Sequence, residues 1–476
     1  MECGSAGTQL SSDVPSRLDR LPWTGWHWRV VFALGVTWML DGLEVTLVGA
    51  VAPLLASRDT LHLSESQIGA AATIYLAGAI TGAIFFGRMS DLFGRRRLFF
   101  VTLTLYAFAT MMTAFSWSFA SFAFFRALTG AGIGGEGSAV NSAIDELLPA
   151  RVRGHADLAI NGTYWLGTAL GAVLTLIVAD PRVLPRALAW RVAFALGALL
   201  SAGVLLLRNQ LPESPRWLLL HGRATEADRV MRDIERRVAG HGGTLPPPGP
   251  PRLIEAKGSV GFGAIARTLV VRYPRRTVLG LSLMIGQAFA YNGVFFTYAL
   301  VLSRFYGVAP ERIGLYLLPF AVGNLLGPLL LGRLFDTVGR RPMIAATYLV
   351  AAALIALAGW GMVEGWLTAA TQTLLWSLAF FVASAAASSA YLTVSELFPV
   401  ELRGMAIALF YAVGTGAGGV AAPAVFGALV QTGSRARVFD AYLVGAALMA
   451  VGGIFAIVLG VSAERRSLEE IAEMPR

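Results

Sequence analysis

The amino-acid sequence predicts an all-α membrane protein of twelve transmembrane helices arranged as two six-helix pseudo-repeats. Three observations carry this. The 476 residues are 56% hydrophobic and only 14% charged, where a soluble domain has about 25% charged residues. The polar residues are gathered between long apolar stretches, each close to the roughly 20 residues that a spanning helix needs. One polar hairpin is also written twice. Gly87-Arg88-Met89-Ser90-Asp91-Leu92-Phe93-Gly94-Arg95-Arg96 returns as Gly332-Arg333-Leu334-Phe335-Asp336-Thr337-Val338-Gly339-Arg340-Arg341, with Gly, Arg, Asp, Gly and Arg at the same offsets.

In chain order, residues 1–27 read as a polar tail with no stretch resembling a cleaved signal, so the first span serves as the insertion signal. The first bundle, 28–208, holds spans at 28–48, 67–89, 98–116, 118–140, 157–179 and 190–208. Residues 209–276 are the one long hydrophilic interruption. They read as a linker with one or two short surface helices and a flexible tether at Pro246–Pro251. The second bundle, 277–460, holds spans at 277–301, 311–334, 343–363, 366–392, 405–430 and 438–460, and 461–476 form a second tail. The halves repeat beyond the hairpins: Glu146-Leu147-Leu148-Pro149 with Arg153-Gly154 returns as Glu396-Leu397-Phe398-Pro399 with Arg403-Gly404. In proteins built from such repeats the substrate site lies between the halves, near mid-membrane.

Arginine placement sets the orientation. One side holds only Arg58, Arg182, Arg186, Arg304, Arg312, Arg435 and Arg437. The other holds both hairpins, Arg151, Arg153, Arg403, the linker and both tails, so these are expected to be cytoplasmic, in a multi-pass protein of the inner membrane. The net charge of +9 is spread over short loops and forms no continuous basic face, which excludes a nucleic-acid partner. Cys3 is the only cysteine and the five histidines do not cluster, so neither a metal site nor a cofactor is expected. Nucleotide loops and nucleophile–base motifs are missing from the sequence, which argues against an enzyme and against ATP as the driving force. The expected partners are a small-molecule substrate, protons and the bilayer, with the protein as a monomer.

Charges inside spans are costly and mark function. Asp41 and Glu44 lie three apart on one face of the first helix, and Arg126 lies near mid-membrane in the fourth. Glu44 and Arg126 are the expected proton-coupling pair, because the cation favours the ionised acid while burial favours the neutral one. A permanent brace between helices is the other reading of this pair, and Asp41 is the alternative titrating acid. At the hairpins, Gly87, Gly94, Gly332 and Gly339 suit close packing and a tight turn. Asp91 and Asp336, with Arg88, Arg95, Arg333 and Arg340, are expected to gate the cavity. Asp91 is expected to pair with an arginine of the neighbouring bundle. Glu146 with Arg95 or Arg153, and Glu396 with Arg340 or Arg403, are candidate latch pairs. Asn161 and Thr168 share a face of the fifth helix, and Gln287 and Asn292 place two amides inside the apolar seventh. These bind either substrate or a neighbouring helix. Trp165, Tyr291 and Tyr391 are candidate aromatic walls.

The duplicated hairpin resembles the signature loop of the major facilitator superfamily, and the likeness runs from about residue 28 to 460. Arg126 to Glu136 (R-x-x-x-G-x-G-x-G-G-E), Pro212 to Leu218 (P-E-S-P-R-W-L) and the two E-L-[LF]-P…R-G stretches belong to the same resemblance. It implies alternating access between two rocking bundles. Gln287 and Asn292 resemble the substrate-binding amides of sugar porters, and Asn161 and Thr168 match sugar-porter binding positions counted from Glu146. Residues 389–396 lack the sugar-porter G-P-x-x-W. Asp41-Gly42-Leu43-Glu44, the G-G-E at Glu136 and Tyr391 are more similar to metabolite:proton symporters, which include aromatic-acid and nicotinate-type carriers and the synaptic-vesicle-protein-like group. The resemblance implies proton-coupled uptake of a small organic acid or metabolite, held in part by Arg126. A proton-coupled sugar or polyol symporter and a proton-driven efflux antiporter are the alternatives.

Overall fold

The computed structural model describes residues 8–55, 59–178, 182–208, 211–240, 244–256, 263, 267–308, 313–398 and 400–473. The first bundle contains α2 (Gly25–Leu55), α3 (Glu65–Phe93), α4 (Arg95–Ala114), α5 (Phe119–Leu147), α6 (Arg153–Val178) and α7 (Arg186–Arg208). Before it come strand β1 (Thr8–Ser12) and helix α1 (Val14–Asp19), and after it α8 (Pro215–Leu220), α9 (Ala224–Ala239) and strand β2 (Arg252–Ala256). The second bundle contains α10 (Pro274–Tyr306), α11 (Ile313–Thr337), α12 (Arg340–Val363), α13 (Ala369–Leu397), α14 (Val400–Gly414), α15 (Ala421–Gln431) and α16 (Arg435–Leu459), and α17 (Leu468–Glu473) follows.

Local sequence explains where the helices start and turn. Ser64 opens α3 with a capping box: its hydroxyl accepts from the Gln67 N–H while the Gln67 side chain accepts from its own N–H. Ser118 with Ser121 opens α5, and Thr368 with Thr371 opens α13, so the fourth and tenth spans begin on equivalent caps. At the hairpins Gly94 has φ +95° and Gly339 φ +121°, conformations that a side chain would strain.

Among the described residues nine helices are long and apolar enough to cross a membrane on length and composition alone. The other three spans are α5, α6 and the α14–α15 pair. In α5 the glycine run and Arg126, Glu136, Asp145 and Glu146 dilute the hydropathy. The eleventh span, expected as one helix over 405–430, is instead divided by a π-helical segment, Thr415–Val420. Its Thr-Gly-Ala-Gly-Gly sequence permits the wider turn, and Gly418 lies against the backbone of Ala288 and Phe289 in α10. Large apolar side chains such as Phe85, Leu199, Leu330 and Val458 face outward, as lipid contact requires, and Trp117 and Trp366 stand exposed at the loops opposite the hairpins.

Glycine sets how closely the helices pack. A Cβ on Gly167 of α6 would overlap the Met39 carbonyl of α2, and one on Gly42 of α2 would overlap the Tyr164 carbonyl of α6. Gly130 and Gly134 of α5 likewise lie against the backbone of Tyr75 and Ala79 in α3. The two bundles meet along α6 with α11 and along α3 with α14.

Outside the bundles two short helices form where one or two surface helices were expected, but α8 is buried from Pro215 to Leu219 and only α9 presents a surface. The linker is less of a tether than its Pro/Gly content implies, because β2 pairs antiparallel with β1, in register Thr8 with Ala256 through Ser12 with Arg252. Beside this pairing Arg17 bonds Glu235 (2.6 Å) and Asp228 (2.8 Å), and Arg20 also bonds Glu235. Burial alone would push the Glu235 carboxyl up, but the bonds from Arg17 and Arg20 outweigh it and hold that carboxyl below the ordinary glutamate range.

Two outcomes follow. Gly167→Val forces α2 and α6 apart, so it should cost about 1–3 kcal/mol and lower the thermal unfolding midpoint of the detergent-solubilised protein. The Arg17 clamp is complete above the ordinary glutamate value and is lost only as pH falls through the lowered one. An acid-active protease should therefore spare Val14–Asp19 near the ordinary value of about 4.3 and cut it at lower pH.

Candidate functional site

The site has two parts: a buried ionic cluster where the hairpins meet, and a cavity at mid-bundle. At the hairpin end each bundle carries its own arginine fork. Arg95 bonds Glu146 (2.9 Å) and Asp91 (3.3 Å), and Arg340 bonds Glu396 (3.0 Å) and Asp336 (2.8 Å). The ion pairs between the bundles are longer than these forks. Arg153 of α6 reaches Glu396 of α13 at 3.5 Å, and Arg403 of α14 reaches Asp145 and Glu146 of α5 at 3.7 Å each.

The expected latch is thus corrected in two respects. Arg153 and Arg403 exchange partners: Arg153 serves Glu396 and Arg403 serves Glu146, because each lies at the start of a helix packed against the opposite bundle. Asp91 takes its arginine, Arg95, from its own hairpin. Across the bundles it accepts the backbone N–H groups of Gly404 (3.3 Å) and Met405 (3.1 Å). Asp336 does the same with Gly154 (3.2 Å) and His155 (2.7 Å), in the first turn of α6, where N–H groups lack helical partners. These contacts need glycine: a Cβ on Gly404 would lie 2.6 Å from an Asp91 carboxylate oxygen, and one on Gly154 would overlap the Arg340 guanidinium. Gly87 offers its carbonyl to the same close approach at Gly404, and Gly332 packs on His155. Arg88 is half-buried, and Arg333 is exposed, away from the cross-bundle contacts.

Several residues of this cluster escaped sequence reasoning. Glu213 caps the start of α4, accepting the N–H of Arg95 (3.0 Å) and of Arg96 (3.3 Å), and Glu464 accepts the Arg340 N–H (3.3 Å). Arg216 donates to the carbonyls of Asp145 and Glu146, and the Trp217 indole donates to the Asp91 carbonyl. The P-E-S-P-R-W-L motif was visible in the sequence, but only its position on top of the hairpin reveals these roles. Asp145 had no signal beyond its adjacency to Glu146.

The mid-bundle cavity is small, about 30 Å³, and is lined from both bundles by Trp38, Asp41, Ala83, Ile133, Gly134, Gly137, Tyr391, Ile407, Ala408 and Tyr411. Trp38 meets Tyr391 edge-on at 5.8 Å between ring centroids. Behind this wall Arg126 and Glu44 form a buried ion pair, and the guanidinium lies 4.4 Å from the Tyr75 ring centroid and 5.9 Å from that of Phe194. Of the expected substrate residues only Tyr391 lines this cavity; Asp41, expected in coupling, lines it too. The polar ones bond within their own helices: Asn161 to the Asp157 carbonyl (2.9 Å), Thr168 to the Tyr164 carbonyl (3.3 Å), Asn292 to the Ala288 carbonyl (2.7 Å) and Gln287 to the Met284 sulfur (3.9 Å). Trp165 of α6 packs across the bundles on Tyr291 (5.9 Å), Phe295 (5.6 Å) and Phe320 (5.9 Å). The Tyr291 hydroxyl donates to Asn324 (2.7 Å).

Two bundles of spanning helices, clamped at one end around a central cavity, define a membrane transporter of the major facilitator type. The chain belongs to the sugar (and other) transporter family, whose description matches residues 25–474. It is 26% identical over 469 residues to the niacin transporter NiaP of Acinetobacter baylyi, covering 96% of this chain and 99% of that protein. It is also 26% identical over 413 residues to the 4-hydroxybenzoate transporter PcaK of the same species, covering 86% of each. Among solved structures, the proton:xylose symporter XylE bound to 6-bromo-6-deoxy-D-glucose superposes with a TM-score of 0.75 at 21% identity, over 93% of this chain and 98% of that one. The human organic anion transporter MFSD10 gives 0.65 at 20% identity, over 91% and 100%.

Removing the Asp91 charge weakens the hydrogen bonds across the bundles, each worth about 1.5–3 kcal/mol when one partner is charged. In a Cys3→Ser background, Asp91→Asn should therefore raise labelling of Ala408→Cys by an impermeant thiol reagent added from the hairpin side, by roughly tenfold or more, with insertion and abundance unchanged.

Proposed function

We propose that this transporter couples inward proton movement to uptake of a small organic acid or related metabolite by alternating access. On this reading it sits as a monomer in the inner membrane with both termini and the hairpins in the cytoplasm, the side with the arginine excess. The observation that carries the proposal is the buried Glu44–Arg126 pair directly behind the cavity wall that holds Asp41.

A guanidinium enclosed by one carboxylate and two aromatic rings is not available to a ligand. A proton arriving at Glu44 removes its charge and with it most of the hold on Arg126. The guanidinium is then free to meet a substrate carboxylate in the two-pronged geometry that favours such pairs. Proton and anion thus arrive together, because either alone would leave a buried uncompensated charge. Asp41, on the cavity side and one helical turn from Glu44, is the station through which the proton reaches or leaves the pair. Trp38, Tyr391 and Tyr411 supply flat walls for a planar ligand body. Two relatives are named for small aromatic acids, which supports this choice of substrate class.

A neutral sugar or polyol is the second reading. It is favoured by the occupied Arg126, which in the closed structure presents no cation to the cavity. Radiolabelled uptake into proteoliposomes separates the two. Accumulation of nicotinate or 4-hydroxybenzoate driven by an inward proton gradient is expected, with xylose neither accumulated nor competing. Proton-driven xylose accumulation that is indifferent to the acids would reverse the assignment. Glu44→Gln should abolish accumulation but keep substrate exchange, since exchange needs no net proton release. Should Glu44→Gln still accumulate substrate in a protonophore-sensitive way, the coupling acid is Asp41.

A further inference from the structure

At the hairpin end five acids have an arginine within 4 Å, while Glu213 and Glu464 accept backbone N–H groups instead. Asp91, Asp145, Glu146, Asp336 and Glu396 pair with Arg95, Arg153, Arg340 or Arg403. Asp157, one turn after Arg153 in α6, is fully buried, and neither of its carboxylate oxygens has a hydrogen-bond partner. Among the described residues no arginine lies within ion-pair distance of it.

The charged groups that act on Asp157 are Asp145 of α5 and Glu396 of α13, each already paired with arginine, and Arg340 of α12, with Arg153 one turn earlier on its own helix. On its own helix Asn161 sits one turn further on, its amide spent on the Asp157 carbonyl. From α11, Asp336 is engaged by the Gly154 and His155 N–H groups and by Arg340. Along α2, the contact with α6 is made by Gly35, Met39 and Gly42. A fully buried carboxylate with neither oxygen hydrogen-bonded is costly to keep as an ion.

We propose that Asp157 is a second proton-binding site, occupied while the hairpin end is closed and emptied when it opens. The site lies at the junction of α6 with α11 and α13, where the bundles must part for the cavity to reach the hairpin side. Parting lets water reach Asp157, and the hydrated carboxyl gives up its proton to that side. The closed form therefore binds one proton more than the open form. Acid favours closure, and as pH rises through the range in which the closed form alone keeps the proton, the closed-to-open ratio falls about tenfold per pH unit. This deepens the proton-coupled reading, and for its part in coupling it rests on that reading: a proton taken up beside Glu44 would have its exit at Asp157.

Infrared difference spectra of the purified protein near neutral pH test occupancy directly. The wild type minus Asp157→Asn spectrum should show the carbonyl stretch of a protonated carboxyl group; its absence overturns the proposal. A spin-label pair at Arg97→Cys and Thr337→Cys, in Cys3→Ser, reads the distance between the hairpins. The wild type should open with rising pH, and Asp157→Asn should hold a pH-independent closed distance. An unchanged pH profile in Asp157→Asn would also overturn it. Asp157→Leu covers the case in which the amide disturbs folding: a site that is neutral when closed tolerates the apolar side chain. If neither variant folds while Asp157→Glu does, the carboxylate is needed as an ion and the proposal fails. None of these readouts involves Glu44, so their failure leaves the coupling test at Glu44 untouched.

Discussion

The structure depends on how the buried charges at the hairpin end are shared. Placing so many carboxylates and guanidiniums out of water is tolerable only where each charge has a partner. The partners are graded. The shortest lie within a bundle, 2.8–3.0 Å for Arg95–Glu146, Arg340–Asp336 and Arg340–Glu396, with Arg153–Asp145 at 4.0 Å the exception. Those between bundles stand at 3.5–3.7 Å, at or beyond the limit of a hydrogen bond. Each bundle is thereby neutralised largely by itself and moves as a rigid unit, while the seam between them is held by weaker attraction. Were the grading reversed, separating the bundles would strand charges without partners.

The seam is fastened chiefly by backbone. Asp91 on α14 and Asp336 on α6 are two copies of one device, each a hairpin carboxylate seated on consecutive N–H groups of the opposite bundle. Main-chain donors cannot swing away as arginine side chains can, so these contacts fix the register of closure. They also explain why the residue after each latch arginine is glycine. At the far side of the cavity the seam is of a different kind: Trp165 inserted among Tyr291, Phe295 and Phe320 closes it by apolar contact. One end thus responds to charge, and the other to whatever displaces an indole ring.

Much of this was legible in the sequence. Composition and hydropathy located the spans, and the duplicated hairpin and the Glu-to-Arg spacings located the charged end, because those patterns are local and repeated. Burial of Glu44 with Arg126 was readable from the cost of placing either alone in a membrane helix. Partner choice was not readable. Arg153 and Arg403 each have an acid seven residues away in their own bundle, and only helix packing decides that they serve the other one. The bonds of the amides Asn161, Gln287 and Asn292 were hidden for a related reason: a sequence shows a polar side chain in an apolar helix but not that it bonds its own preceding turn. The break at Thr415–Val420 was likewise hidden, since its glycines read as well for close packing as for a widened turn.

The pairing of β1 with β2 bears on how the chain is made. Ala256 follows its partner Thr8 from the ribosome about 250 residues later, roughly 10–50 s at typical elongation rates. Throughout that interval all six helices of the first bundle are inserted while the leading strand waits with its backbone donors and acceptors unpaired. The strand's arrival at Arg252–Ala256, together with Arg17 closing on Glu235, marks the moment when the first half is capped and the second begins to enter the bilayer. A bulky fusion at the N-terminus would be felt at that step of biogenesis before it was felt in transport.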